Sequence, residues 1–121
     1  MNILVSGGSG FIGKSFIKEA LKNKANKIYA ISRKKRIKTN PRLTWIKTQL
    51  DKNNKKYFNK INVLVHLAAA GIKKNVKKSD DVYDVNIHKS LKLINNLIIS
   101  GCKNFVIIST SSEYGDKKKN L

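Results

Sequence analysis

Apolar residues come in short runs separated by polar, lysine-rich stretches. "NILVS" (2–6) is one such run and ends in glycines, the pattern of a parallel strand buried on both faces. From Phe11 to about Asn23 the spacing becomes helical, with Ile12, Phe16, Ile17, Ala20 and Leu21 on one side and lysines on the other. "KIYAIS" (27–32) predicts a second strand. "LTWIKT" (43–48) predicts a third, whose alternation of apolar and polar positions suits the outside of a sheet. Between them lies a polar loop, "RKKRIKTNPR", with the only proline, Pro41. "DKNNKKYFNK" (51–60) is a connection with room for a short helix, and "INVLVHLAAA" (61–70) predicts a strand ending in small residues. Residues 79–101 predict a long helix with Val82, Val85, Leu91, Ile94, Leu97 and Ile98 at helical spacing and a closing glycine. "NFVIIST" (104–110) predicts the last strand.

Strands that alternate with crossovers imply an α/β fold, a Rossmann-like doubly wound parallel sheet with helices on both faces. A glycine turn after the first strand makes 3-2-1-4-5 the expected strand order. The 121 residues suffice for one domain, 1–121, small for an enzyme that must also hold a substrate. A chain that ends in "KKKNL" soon after strand 5, where more helix and a further strand would follow, reads as a fold cut before its last elements. No apolar run approaches the roughly 18 residues of a membrane span and no Arg-rich presequence is seen, so a cytoplasmic chain without a membrane partner is expected. The single cysteine, Cys102, lies between an apolar helix and an apolar strand, where a small buried residue is expected.

A net charge of +19 raises the question of nucleic acid. The cations are 23 lysines against 3 arginines, beside 14 asparagines and 15 isoleucines, all three abundant types having A/T-rich codons. Specific phosphate readers draw on arginine's bidentate fork. These lysines are also scattered along the chain, so the charge predicts salt-sensitive adhesion to polyanions and no specific nucleic-acid partner.

The chemistry is concentrated in "GGSGFIG" (7–13). Gly7, Gly10 and Gly13 fall between a strand and a helix, the context that gives a loose glycine pattern meaning. Gly7 takes the tight turn, Gly10 lets the backbone approach a pyrophosphate, and Gly13 lets helix and strand pack closely. The helix N-terminus offers free N–H groups to the anion.

With "VLVHLAAAG", "VNIHKSLKLI" and "NFVIISTSSEYGD" following in order, the whole chain resembles the extended short-chain dehydrogenase/reductases, specifically the NAD(P)-dependent epimerase/dehydratase group that modifies nucleotide sugars. The resemblance implies that Phe11 and Ile12 meet the pyrophosphate through their backbone. It implies that the stretch from His66 through Leu67, Ala68 and Ala69 to Ala70 lines the cofactor, and that Asn86 steadies the fourth helix. On their own residues, His66 reads as a satisfied strand-end histidine and Asn86 as an exposed helix residue. Gln49, with Leu50 beside it, falls where relatives carry an Asp that contacts the adenine amine; a glutamine carbonyl can accept the same bond.

An acidic residue at the end of strand 2 would bond an unphosphorylated ribose. Here Ser32 is followed by Arg33, Lys34, Lys35 and Arg36, which suits a 2′-phosphate, so NADP is expected ahead of NAD. The resemblance also implies a Tyr and a Lys four residues apart on one helix, the Tyr taking a proton as hydride leaves the sugar. Tyr114 and Lys118 have that spacing, but Gly115 and Asp116 favour a turn, and the pair needs a helix. The catalytic pair is therefore expected beyond Leu121, with Thr110 the one catalytic match, at the end of strand 5. Ser111 and Ser112 replace the Asp-Glu pair that sugar 4,6-dehydratases resemble one another in carrying, which favours an epimerase or 4-keto-reductase acting on a nucleotide-sugar substrate. Other readings are a noncatalytic nucleotide- or partner-binding module and, less favoured, a basic nucleic-acid binder. Relatives dimerise through two helices, one matching 79–100, so a homodimer is possible, and the sheet edge beside strand 5 invites association.

Overall fold

The computed structural model describes residues 1–68 and 84–108. Its strands are β1 (Asn2–Ser6), β2 (Lys27–Ser32), β3 (Leu43–Lys47), β4 (Val63–His66) and β5 (Asn104–Ile107). Its helices are α1 (Phe11–Ala20), a single turn α2 (Lys55–Phe58), and α3 (Ser90–Ile99), which a π-helical stretch, Asp84–Lys89, leads into. All strands are parallel, in the order β3-β2-β1-β4-β5.

β1 is the central strand, and its alternation divides the core. Ile3 and Val5 join Ile17 of α1 with Ile28, Ala30, Leu43 and Val65 on one face of the sheet. Leu4 joins Phe58 of α2 and Leu93 and Leu97 of α3 with Ile31, Ile46, Leu64 and Cys102 on the other. Successive side chains of a strand point to opposite faces, so a strand apolar at every position needs a layer on each side. Cys102 is 4% exposed, its thiol facing the Asn104 carbonyl at 3.5 Å.

Three expectations are adjusted. β3 is the outer strand, yet it is not one-sided: Leu43 and Ile46 are both buried and belong to opposite core layers. α1 ends at Ala20 rather than near Asn23, and past its end the Arg42 guanidinium donates to Leu21 O (2.7 Å), Asn23 O (3.0 Å) and Asn26 O (3.0 Å). β4 stops at His66 because the chain then bends across Ser6; His66 pairs with Ile107 of β5 and its carbonyl accepts the Ile108 amide at 3.2 Å, while residues 109 and 110 of the predicted last strand lie outside the described residues. The start of the predicted 79–101 helix, with Val82, lies outside the described residues.

Candidate functional site

Parallel strands bring their C-terminal ends to one edge of the sheet, and the predicted site residues gather there. The turn after β1 is built by glycines for different reasons. Gly7 has φ +74°, and a Cβ on it would stand 2.7 Å from both Ala68 N and Leu67 C. It therefore serves conformation and close approach to the end of β4 at once. A Cβ on Gly13 would press on Gly7 O and stand 2.6 Å from Gly8 Cα, so Gly13 lets α1 lie against the turn.

Gly10 differs. It caps α1 with extended backbone (φ −78°, ψ 177°), and a Cβ there would meet only Gly7 O, at an ordinary 3.4 Å. Nothing in the packing of the described residues requires a glycine at this exposed position. The space a side chain would fill lies at the opening of α1, which has no side-chain cap and no acidic residue in its first turn. The amides of Phe11, Ile12 and Gly13 have no acceptor within the helix, and such a terminus attracts an anion. The Phe11 and Ile12 side chains point outward, 89% and 59% exposed. This cradle fits a bridged phosphate: uncapped amides, local positive potential, and room for close approach.

The far wall is the bend after β4. Ser6, 0% exposed, accepts hydrogen bonds at its Oγ from the amides of Leu67 (3.1 Å) and Ala68 (3.2 Å) and lies 2.6 Å from His66 Nδ1. The Leu67 amide is shared with the Ser6 carbonyl at 3.0 Å; with both amides directed at Oγ, the arrangement that fits has the hydroxyl proton donated to Nδ1. The imidazole proton is then on Nε2, which donates to Ser90 Oγ at 2.7 Å, at the first residue of α3. Burial pushes the His66 pKa below its ordinary value.

At the end of β2, Ser32 is 6% exposed and its Oγ accepts from the Lys34 amide (3.2 Å) and from Arg36 Nε (3.3 Å). The Arg36 guanidinium also lies 5.9 Å above the centre of the Trp45 ring. Arg36, not Arg33, is thus the arginine held against the serine; Arg33 is exposed and makes no such contact among the described residues. Trp45 helps line an open cleft of about 310 Å³ beside Gly8, which Lys14 and Lys18 of α1 also border. Gln49 is exposed just past β3, its carbonyl accepting from the Lys52 amide at 3.3 Å, and Leu50 packs partly into the core layer under α3. Asn86 falls within Asp84–Lys89. Ala69, Ala70, Ser109, Thr110, Ser111, Ser112, Tyr114 and Lys118 lie outside the described residues.

The decisive comparison is with the family model described as "NAD dependent epimerase/dehydratase family", which matches residues 3–120. The chain belongs to that family. Among its relatives, a UDP-glucose 4-epimerase of Klebsiella pneumoniae is 26% identical over 134 residues, covering 98% of this chain and 96% of that protein. The crystal structure of a UDP-glucuronic acid 4-epimerase from Bacillus cereus, in complex with UDP-glucuronic acid and NAD, is 28% identical with a TM-score of 0.80. It matches 97% of this family member and 42% of its own chain. A UDP-glucose 4-epimerase of Thermotoga maritima, with UDP-glucose, is 25% identical with a TM-score of 0.73 over 93% of this chain and 38% of that one. The chain thus spans about two fifths of the length of these solved structures. It carries the family's NAD-binding portion.

Sequence reasoning left Ser6, Ser90 and Trp45 out of the site, and named Arg36 only as the end of the basic run after Ser32. The signal for Ser6 was its place before the glycines; for Ser90 there was none, since its link to His66 spans 24 residues and exists only in three dimensions.

Proposed function

We propose that this chain binds NADP in preference to NAD, and that it does so as the cofactor-holding part of a nucleotide-sugar epimerase or 4-keto-reductase. One observation carries the cofactor preference: the end of β2 offers a serine and a held arginine where a carboxylate would reject a 2′-phosphate. Ser32 Oγ receives two donors, and its own proton has no acceptor among the described residues, so it is available to a ribose oxygen or a phosphate. Arg36 adds charge, and Lys14 and Lys18 border the neighbouring cleft. This preference departs from the NAD in the Bacillus cereus complex.

A bound nicotinamide supplies reversible hydride acceptance. The chain's own residues then divide the work by position. The amides of Phe11, Ile12 and Gly13 take the pyrophosphate, and Gly7, Leu67 and Ala68 close the wall beside it, with Ala69 next in sequence. Ser32 and Arg36, with Arg33 in the outer shell of charge, receive the adenosine ribose, while Gln49 and Leu50 flank the adenine. Thr110 would orient the substrate hydroxyl. Tyr114 and Lys118 are given no proton-transfer role, since Gly115 and Asp116 between them are turn-favouring residue types. The K. pneumoniae relative's name favours a UDP-sugar substrate, and a homodimer through the segment 79–100 and a cytoplasmic site complete the reading.

Titrating the chain with NADPH and NADH, followed by the fluorescence of its single tryptophan, Trp45, tests the preference. NADPH binding tighter by tenfold or so is the outcome in keeping with a charge-assisted contact worth about 1.5 kcal/mol. Tighter binding of NADH overturns it.

A further inference from the structure

We propose that His66 is a positioning residue for the dinucleotide cradle. Through Nδ1 it turns the Ser6 hydroxyl so that the oxygen receives the Leu67 and Ala68 amides and holds the end of β4 against Gly7. The proposal rests on the cofactor reading of the glycine turn, and adds which side chain sets its far wall.

The placement follows from the sheet. Ser6 and His66 are register partners on neighbouring parallel strands, so their side chains share a face and meet at 2.6 Å. Gly7 follows Ser6 directly, and so little room separates it from Ala68 that a single Cβ would not fit. The Gly7 carbonyl in turn accepts the Gly10 amide at 3.1 Å, at the cap of α1. A displacement of Ala68 therefore reaches the amides of the first helical turn through two short contacts.

The geometry favours one arrangement. Ser6 Oγ faces the Leu67 and Ala68 amides, the former shared with the Ser6 carbonyl at 3.0 Å, so its own proton is the one directed to Nδ1. Without that acceptor the hydroxyl rotates to seek another partner and gives up an amide. On its other side the same imidazole donates to Ser90, so α3 and the cradle are tied by one ring.

A plain packing role would depend on ring volume alone, and amide variants separate the two. The asparagine carbonyl of His66→Asn falls near the place of Nδ1 and can accept from Ser6, but the side chain is too short for Ser90. His66→Gln reaches toward Ser90 and leaves Ser6 without its acceptor. His66→Leu fills volume and offers neither.

The experiment combines ¹⁵N spectra of the wild-type imidazole with dissociation constants for NADPH and NADH, and with melting temperatures measured without cofactor. Expected are a proton on Nε2 and a bare, hydrogen-bonded Nδ1. His66→Asn should bind within about threefold of wild type, whereas His66→Gln and His66→Leu should bind both cofactors about tenfold more weakly, the equivalent of one misdirected buried hydrogen bond. A proton on Nδ1 overturns the proposal. So does wild-type affinity in His66→Leu, or affinity losses that merely follow melting temperature across all three variants. A wild-type chain that binds neither cofactor at millimolar concentration would refute the cofactor reading itself, a different result from binding that His66 variants leave untouched.

Discussion

Gly10→Ala and Gly13→Ala separate two tasks that a glycine turn performs. At position 13 the new methyl would stand 2.6 Å from Gly8 Cα and closer still to the Gly7 carbonyl, and both obstacles are backbone. Alanine gains up to about 1 kcal/mol over glycine inside a helix. Against this, lifting α1 off the turn carries an overpacking cost of about 1–3 kcal/mol. The net expectation is a loss of about 1–2 kcal/mol and a melting temperature lower by roughly 3–10 °C. At position 10 the methyl meets only Gly7 O at 3.4 Å, on a backbone any residue adopts. Stability should fall by no more than about 1 kcal/mol, the preference for glycine over alanine at a helix N-cap. The same methyl stands in front of the open amides, and displacing a phosphate from one charge-assisted hydrogen bond is worth about 1.5–3 kcal/mol, or roughly 10- to 150-fold in affinity. Thermal melts without cofactor and NADPH titrations on both variants measure the two axes. Gly10→Ala that melts like wild type and binds like wild type would refute the idea that the backbone here approaches a ligand.

Three further outcomes are expected. Ser6→Ala leaves the Ala68 amide without its acceptor and His66 Nδ1 without its donor, at a cost of about 2–4 kcal/mol that urea denaturation will report. Arg36→Ala should weaken NADPH binding about tenfold and leave NADH nearly unchanged, while Arg33→Ala should affect NADPH by no more than about threefold; the reverse ranking in titrations would return the role to Arg33. Because the folded His66 has a lowered pKa, the unfolded imidazole, near 6.5, takes up protons that the folded one refuses. Its contribution to stability is complete above about pH 6.5 and is lost as pH falls through the lower folded value, so the urea midpoint should drop from pH 7.5 to pH 5.5 in a His88→Gln background and the drop should shrink in His66→Asn.

Much of this fold was legible because its cues are local. Strands β1 and β2 end where their apolar runs end, and the glycines announce both the turn and the helix that follows. The limit of α1 was not legible, because the side chain that binds the carbonyls past its end is Arg42, 21 residues beyond Leu21. Nor was the two-sided burial of β3, since Ile46 is buried only because α2 and α3 come to cover that face. At the site, residues adjacent to the glycines were readable and distant partners were not. The identity of the arginine beside Ser32 depends on the path of a loop, which returns position 36 to the serine and leaves position 33 outside. The His66 tautomer depends on counting donors around Ser6, and those come from two strands 60 residues apart in the chain.

The clamp made by Arg42 has a consequence for how this half of the molecule opens. One guanidinium joins the residues after the first crossover to the residue that leads into the third strand, binding three carbonyls that would otherwise need water. Segments so joined exchange their amide hydrogens in a shared event rather than fraying one by one. Ser32 lies inside that unit, so the proposed seat of the adenosine ribose would be lost and regained as a whole, and a cofactor bound there would slow deuterium uptake as far away as residues 21–26.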